Sequence, residues 1–204
     1  MAEAARAHAR VLVDVGAGDG AYVLSRALDD PSLFAIALDA SPDALTEGAW
    51  RAHRLAVSNT AFLVESIERL QLAGIADEAT VHFPWGSLLR GLIRADAAVL
   101  EPLARLVRPG GELRVILSAT PRDGLGEITP ATLLAVRHDY ARIGLGLRAV
   151  REATAADVRE TRSSWSKRLA VGRERVAVRA RYRRVADVSS GGAGRNADPR
   201  RRCA

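Results

Sequence analysis

The chain has 204 residues, 48% of them hydrophobic and 26% charged, with a net charge of +6 at pH 7. That length and balance fit one globular domain with a full core and exclude a disordered or fibrous chain. No apolar run approaches the ~18 residues that span a bilayer and Met1-Ala2-Glu3-Ala4-Ala5-Arg6 lacks a secretory core, so no membrane association and a cytoplasmic location are expected. The single cysteine, Cys203, can form no internal disulfide.

Residues 10–15 read as a first strand that runs into the glycine-dense turn Gly16-Ala17-Gly18-Asp19-Gly20. A helix over 20–28 follows, with Tyr22, Val23 and Ala27 inward. A second strand over 34–39 ends in Asp39. Ser41 then caps a helix with Pro42 in its first turn. This helix carries Ala44, Leu45 and Trp50, the last as a core or interface anchor, and ends near His53. Strands are expected at 61–65 and 79–83, a helix over 96–107 closed by Pro109-Gly110-Gly111, and a fifth strand over 112–118. The βαβα alternation predicts a parallel, doubly wound α/β sheet, with its ligand outside the carboxyl ends of the strands.

Residues 119–130 read as a loop, 130–143 as a helix ended by Gly144, and 148–152 as a strand. Thr154 caps a helical stretch to about residue 161, and a polar loop around Trp165 follows. Over 173–184, Val176, Val178, Ala180 and Tyr182 alternate with Arg175, Arg179, Arg181 and Arg183. A period of two suits an antiparallel strand with one basic face. The expected organisation is one domain over 1–184 and a disordered tail over 185–204, where Ser, Gly, Ala, Asn, Asp and Arg dominate.

The charge is local. Residues 159–184 hold ten Lys or Arg against two Glu, whereas residues 1–158 hold sixteen Arg against twenty Asp or Glu. A basic strip is what adjacent phosphates bind, although arginines on a strand are more often simply solvated.

The turn is spaced Asp-x-Gly-x-Gly-x-Gly from Asp14, so its third glycine comes too early for the dinucleotide fingerprint. Asp14 and Asp19 would repel a pyrophosphate but suit a cationic sulfonium joined to an amino acid. Asp39 can accept hydrogen bonds from ribose hydroxyls. These features favour S-adenosyl-L-methionine held by Asp14, Gly16, Gly18, Gly20 and Asp39. Glu68, after the third strand, is either an adenine contact or a solvated carboxylate. His8, His53, His82 and His138 have no ligand spacing, so no metal site is expected.

Two further motifs narrow the acceptor: His82-Phe83-Pro84-Trp85-Gly86-Ser87-Leu88-Leu89, and Ser163-Ser164-Trp165-Ser166-Lys167-Arg168-Leu169-Ala170-Val171-Gly172-Arg173-Glu174-Arg175. With the glycine turn they resemble the aminoglycoside-resistance 16S rRNA adenine-N1 methyltransferases of the kanamycin–apramycin type, over about residues 10–184. The resemblance implies a seven-stranded methyltransferase fold with a C-terminal antiparallel strand. It implies methylation of N1 of adenine 1408 in the 30S decoding site by a monomer. The flipped base would lie between Trp85 and Trp165. Ser163 would position Trp165 or the cofactor pocket, Ser87 would line that pocket, and Lys167, Arg168, Arg173 and Arg175 would grip rRNA phosphates. Relatives carry a β-hairpin before the first strand and a longer basic segment after the fifth. Here nine residues precede Arg10, and residues 119–130 hold one basic residue, Arg122. The alternatives are a methyltransferase for another RNA, of the tRNA guanine-N7 type, and a truncated protein that binds cofactor or rRNA without transferring methyl.

Overall fold

The computed structural model describes residue 5 and residues 7–119, 123–162 and 176–185. Seven strands form one sheet: β1 (Arg10–Val15), β2 (Leu33–Asp39), β3 (Thr60–Val64), β4 (Ala76–His82), β5 (Val107–Leu117), β6 (Leu145–Glu152) and β7 (Val178–Arg184). Their order is β3-β2-β1-β4-β5-β7-β6. The first five run parallel, and β7 is antiparallel to both its neighbours. The helices are α1 (Ala21–Asp29), α2 (Pro42–Arg54), α3 (Gly86–Arg94), α4 (Ala97–Leu106), α5 (Pro130–Ala135), α6 (Arg137–Arg142) and α7 (Ala155–Glu160), with a 3-10 turn at Ile67–Arg69. None of the described helices is long and apolar enough to cross a membrane.

β1 and β2 are near-continuous apolar runs because helices cover both faces. Val11, Val13, Val15, Phe34, Ile36 and Leu38 face the larger core, with Leu89 and Leu92 of α3 and Leu100 and Leu103 of α4. Leu12, Leu33, Ala35 and Ala37 face the smaller one, with Tyr22, Val23 and Ala27 of α1 and Leu45 of α2. Ser41 and Thr154 cap α2 and α7 as their sequences predict.

Four features differ from the sequence reading. Trp50 is 65% exposed and so is not a core anchor, because α2 buries Leu45, Gly48 and Ala52 instead. At Gly48 the helix lies so close to the glycine turn that an added Cβ would collide with the Asp19 carbonyl oxygen, so nothing larger than glycine fits at that position. The helix expected over 130–143 breaks at Val136 into α5 and α6. Pro109-Gly110-Gly111 lies within β5, at an irregularity in its pairing with β4. Helix α3, hidden behind Pro84-Trp85-Gly86, was not expected at all.

At the antiparallel end Tyr182 of β7 stacks on Tyr140 of α6, with ring centroids 4.5 Å apart, and the Tyr140 hydroxyl donates to the Leu92 carbonyl at 2.8 Å. One face of β7, with Val178, Ala180 and Tyr182, is thereby fully buried.

Candidate active site

The glycine turn is built onto the end of β2. Gly16 and Ala17 N–H both donate to the Leu38 carbonyl, at 2.8 and 3.0 Å. Gly16, Gly18 and Gly20 have φ of 73°, 56° and 66°, the left-handed region where side chains are strained. A Cβ at Gly20 would also stand 2.7 Å from the Phe62 ring. The Asp39 carboxylate ties the turn down. Its Oδ2 accepts from Gly18 N–H at 2.8 Å and its Oδ1 from Ser41 N–H at 2.9 Å. A carboxylate has about four acceptor positions, so each oxygen keeps one for a ligand hydroxyl.

Two cavities open on this turn. The first, about 160 Å³, is lined by Asp14, Gly16, Gly18, Asp19, Asp39 and Trp85, with Tyr22, His82, Phe83, Thr161 and Arg162 closing it. The second, about 180 Å³, is lined by Gly16, Leu38, Asp39, Glu68, Trp85, Ser87 and Leu88 among others. Gly16, Asp39 and Trp85 belong to both, so the cavities flank Asp39 as two ends of one crevice. The crevice lies at the carboxyl ends of β1, β2 and β4, where a doubly wound sheet binds ligands. The first cavity is acidic, which suits a ligand's sulfonium and ammonium groups. The second joins apolar walls to the Glu68 carboxylate, which suits a base. Seven residues assigned to the cofactor from sequence, Asp14, Gly16, Gly18, Gly20, Asp39, Glu68 and Ser87, therefore converge. Gly20 shapes the turn without lining either cavity, and the Ser87 hydroxyl donates to Glu68 Oε1 at 3.1 Å.

Asp14 is buried. Its Oδ1 accepts from the Thr80 hydroxyl at 2.6 Å and lies 3.4 Å from His82 Nδ1. Burial, beyond what the Thr80 hydrogen bond offsets, raises its pKa to about 7. Burial, reinforced by Arg179, Arg26 and Arg114, lowers that of His82 to about 3, so the imidazole is neutral. The ring stands edge-on to Tyr22, centroids 4.6 Å apart. Asp19 is partly committed: its Oδ1 accepts from Ala21 N–H at 3.2 Å, at the start of α1, and its Oδ2 lies 3.6 Å from Arg51.

Phe83 takes φ 50°, uncommon for a bulky residue, and its N–H donates to the Ile116 carbonyl at 2.8 Å. The backbone thus turns sharply at the end of β4, and Trp85 follows as the N-cap residue of α3, 69% exposed. A large aromatic left in solvent at a crevice mouth is available for stacking.

Ser163, Trp165, Lys167, Arg168, Arg173 and Arg175 lie outside the described residues. The described part of the basic strand is partly neutralised. Arg179 pairs with Asp157, and Arg183 lies 4.0 Å from Glu112. Sequence reasoning missed Tyr22, His82, Thr161 and Arg162 as crevice residues. The helical spacing of α1 offered a signal for Tyr22 alone.

An Asp-anchored glycine turn, two joined cavities and an exposed tryptophan on a sheet with an antiparallel last strand define a nucleoside-cofactor enzyme of the methyltransferase class. A family model described as NpmA: 16S rRNA (adenine(1408)-N(1))-methyltransferase matches residues 1–184. The 16S rRNA (adenine(1408)-N(1))-methyltransferase of Streptoalloteichus hindustanus is 33% identical over 185 residues, covering 83% of this chain and 85% of that protein. Its counterpart from Escherichia coli is 27% identical over 182 residues, covering 81% and 83%. Among solved structures, a tryptophan-to-alanine mutant of the Catenulisporales acidiphilia enzyme with cosubstrate SAM superposes with a TM-score of 0.83 at 30% identity, covering 92% of this chain and 91% of that one. The antibiotic-resistance methyltransferase Kmr gives a TM-score of 0.74 at 34% identity, covering 90% and 91%. The chain belongs to the NpmA family of 16S rRNA (adenine(1408)-N(1))-methyltransferases.

Proposed function

We propose that this chain methylates N1 of adenine 1408 in the 16S rRNA of the 30S subunit, with S-adenosyl-L-methionine as donor, and so confers aminoglycoside resistance. Beside family membership, the observation that carries the reading is Trp85, exposed at the rim shared by both cavities. A base drawn out of its helix loses its stacking neighbours, and an aromatic platform replaces each at roughly 1–3 kcal/mol.

The crevice fits this donor. Its acids answer positive charge at one end, and Asp39 keeps acceptor positions for ribose between the two ends. When bound, the donor supplies an electrophilic methyl group on a sulfonium. Asp14 and the turn at Gly16 and Gly18 would hold the amino-acid end, Asp39 the ribose, and Glu68 and Ser87 the base. Adenine N1 already carries an in-plane lone pair, so no side chain has to remove a proton before attack. Neutral His82, beside Asp14 in the lining of the first cavity, is accordingly not needed as a base. The protein's contribution is orientation: Trp85 from one side, with Trp165 from the other as the family resemblance implies, would hold N1 in line with the methyl group. Ser163 would position Trp165, and Lys167, Arg168, Arg173 and Arg175 would bind phosphates.

Primer extension on 30S subunits treated with protein and donor tests this. A new stop at adenine 1408 is expected; its absence, or labelling of tRNA instead, would overturn the reading. Trp165→Ala is expected to abolish transfer with cofactor affinity unchanged.

A further inference from the structure

We infer that Arg162 is the partner of the cofactor's carboxylate. This rests on the proposal that S-adenosyl-L-methionine fills the crevice, and it deepens that proposal at the amino-acid end.

The lining of the first cavity presents three carboxylates, Asp14, Asp19 and Asp39, and a neutral imidazole, His82. The second cavity adds Glu65 and Glu68. Arg162 is the one cationic side chain among the described residues that line either cavity. A methionine-derived ligand brings a sulfonium and an ammonium, which the acids suit, and a carboxylate, which they repel. Without a positive partner that carboxylate would enter an acidic, partly desolvated site with only backbone N–H groups to meet it. A guanidinium answers it with parallel charge-assisted hydrogen bonds.

The backbone places Arg162 for this. Helix α7 is capped at its carboxyl end by Thr161, which is buried, its hydroxyl donating to the Val158 carbonyl at 2.8 Å. Arg162 follows with φ 53°, and its N–H donates to the Arg159 carbonyl at 3.2 Å. A left-handed residue commonly closes a helix, but the position usually falls to Gly or Asn. An arginine there accepts strain and sets an exposed side chain at the cavity mouth. The other arginine near the turn, Arg51, bonds Glu47 at 2.5 Å and stands outside both linings.

The test is calorimetric titration of the full chain with S-adenosyl-L-methionine and with its decarboxylated analogue, which keeps sulfonium, amine and nucleoside. The variants are Arg162→Asn, which tolerates the left-handed backbone, and Arg162→Lys. Arg162→Asn is expected to weaken the intact donor about tenfold or more and leave the analogue within about twofold. Arg162→Lys should recover part of the loss. Equal weakening of both ligands would overturn the assignment, because the effect would then be structural. So would unchanged affinity for both with a raised KM for 30S subunits, which would make Arg162 an RNA-phosphate contact. Failure of the unaltered chain to bind either ligand would instead sink the cofactor reading itself. Should Arg162→Asn melt early, Arg162→Gly carries the same comparison.

Discussion

The two halves of the sheet use charge in opposite ways. Around β1, β2 and β4 the carboxylates of Asp14 and Asp39 bond neutral backbone and hydroxyl donors and keep acceptor capacity facing a crevice. Around β5, β7 and β6 the charges are matched to one another. Arg114 lies 3.0 Å from both Glu78 and Glu112, Arg183 approaches Glu112, and Arg151 and Arg179 share Asp157. The acidic half is thus poised for a ligand, while among the described residues much of the basic half is occupied internally. Where arginines are paired internally, net charge along a sequence overstates the charge left for a ligand. What decides is which charges lack an internal partner.

The sharpest way to break the comparison is at Asp157. Its oxygens take Arg151 at 2.6 and 3.0 Å, the Arg179 guanidinium, and both N–H and hydroxyl of Thr154. These partners, Arg151 foremost, hold its carboxyl well below the usual carboxylate range. Asp157→Ala removes the carboxylate half of a capping box and, among the described residues, leaves Arg179 only Glu160, 4.0 Å away, so a loss of roughly 2 kcal/mol is expected by denaturant titration. In the unaltered chain this stabilisation is present above the unfolded carboxylate pKa of about 4 and is lost as pH falls below it. Cofactor affinity should not change, because Asp157 lines neither cofactor cavity. A loss of affinity larger than the loss of stability explains would join the two halves.

Trp85→Ala acts on the other side of the comparison. Loss of one stacking platform is expected to lower kcat/KM on 30S subunits roughly 10- to 100-fold, by the ~1–3 kcal/mol of a base–aromatic contact. The indole is exposed, so stability should hardly move. Weakened cofactor binding in this variant would make Trp85 a wall of the donor pocket rather than a platform for the acceptor.

A smaller effect follows from Asp14. With its pKa raised to about 7, the carboxyl is largely neutral at pH 6. A cationic ligand favours the ionised form, so binding should release a proton and tighten as pH rises. Between pH 6 and 7.5 the gain should be about eightfold. The neighbouring carboxylates of Asp39 and Glu78 add to the effect of burial on Asp14, and His82 stays neutral above about pH 3. Calorimetry in buffers of different ionisation enthalpy reads the proton directly, and Asp14→Asn should flatten the profile. A flat profile in the unaltered chain would place the ligand's positive end elsewhere.

What was legible in the sequence was local. The glycine turn, the apolar runs of β1 and β2, and the caps at Ser41 and Thr154 each state a backbone requirement within a few residues. What was not legible depends on distant partners. Trp50 faces solvent because Gly48 abuts the turn at Asp19, a contact that helical spacing cannot reveal. Helix α3 was masked because Pro84-Trp85-Gly86 reads as a loop, although Leu88, Leu89 and Leu92 follow at helical spacing. His82 became a crevice residue only when β4 was laid beside β1, bringing Asp14 and Thr80 into one register pair. The alternation of β7 was correct, but Arg179 meets Asp157 across 22 residues and Arg183 meets Glu112 on a neighbouring strand.

Arg181 provides the finest test. It lies between Arg179 and Arg183 on the same face of β7 and is paired in register with Arg114 across the strand boundary. Its side chain is exposed and forms no ion pair among the described residues, whereas Arg114 beside it has both Glu78 and Glu112. If unmatched charges make the RNA-facing surface, Arg181→Ala should raise the KM for 30S subunits about two- to threefold at low salt and reduce the salt slope by about one counterion. Stability should stay within about 0.5 kcal/mol, as for a solvated surface position. Arg183→Ala, which leaves Glu112 to Arg114, should change KM less. If the two substitutions raise KM equally, internal pairing does not withdraw an arginine from the ribosome, and the contrast between the halves is one of position rather than of charge left unmatched.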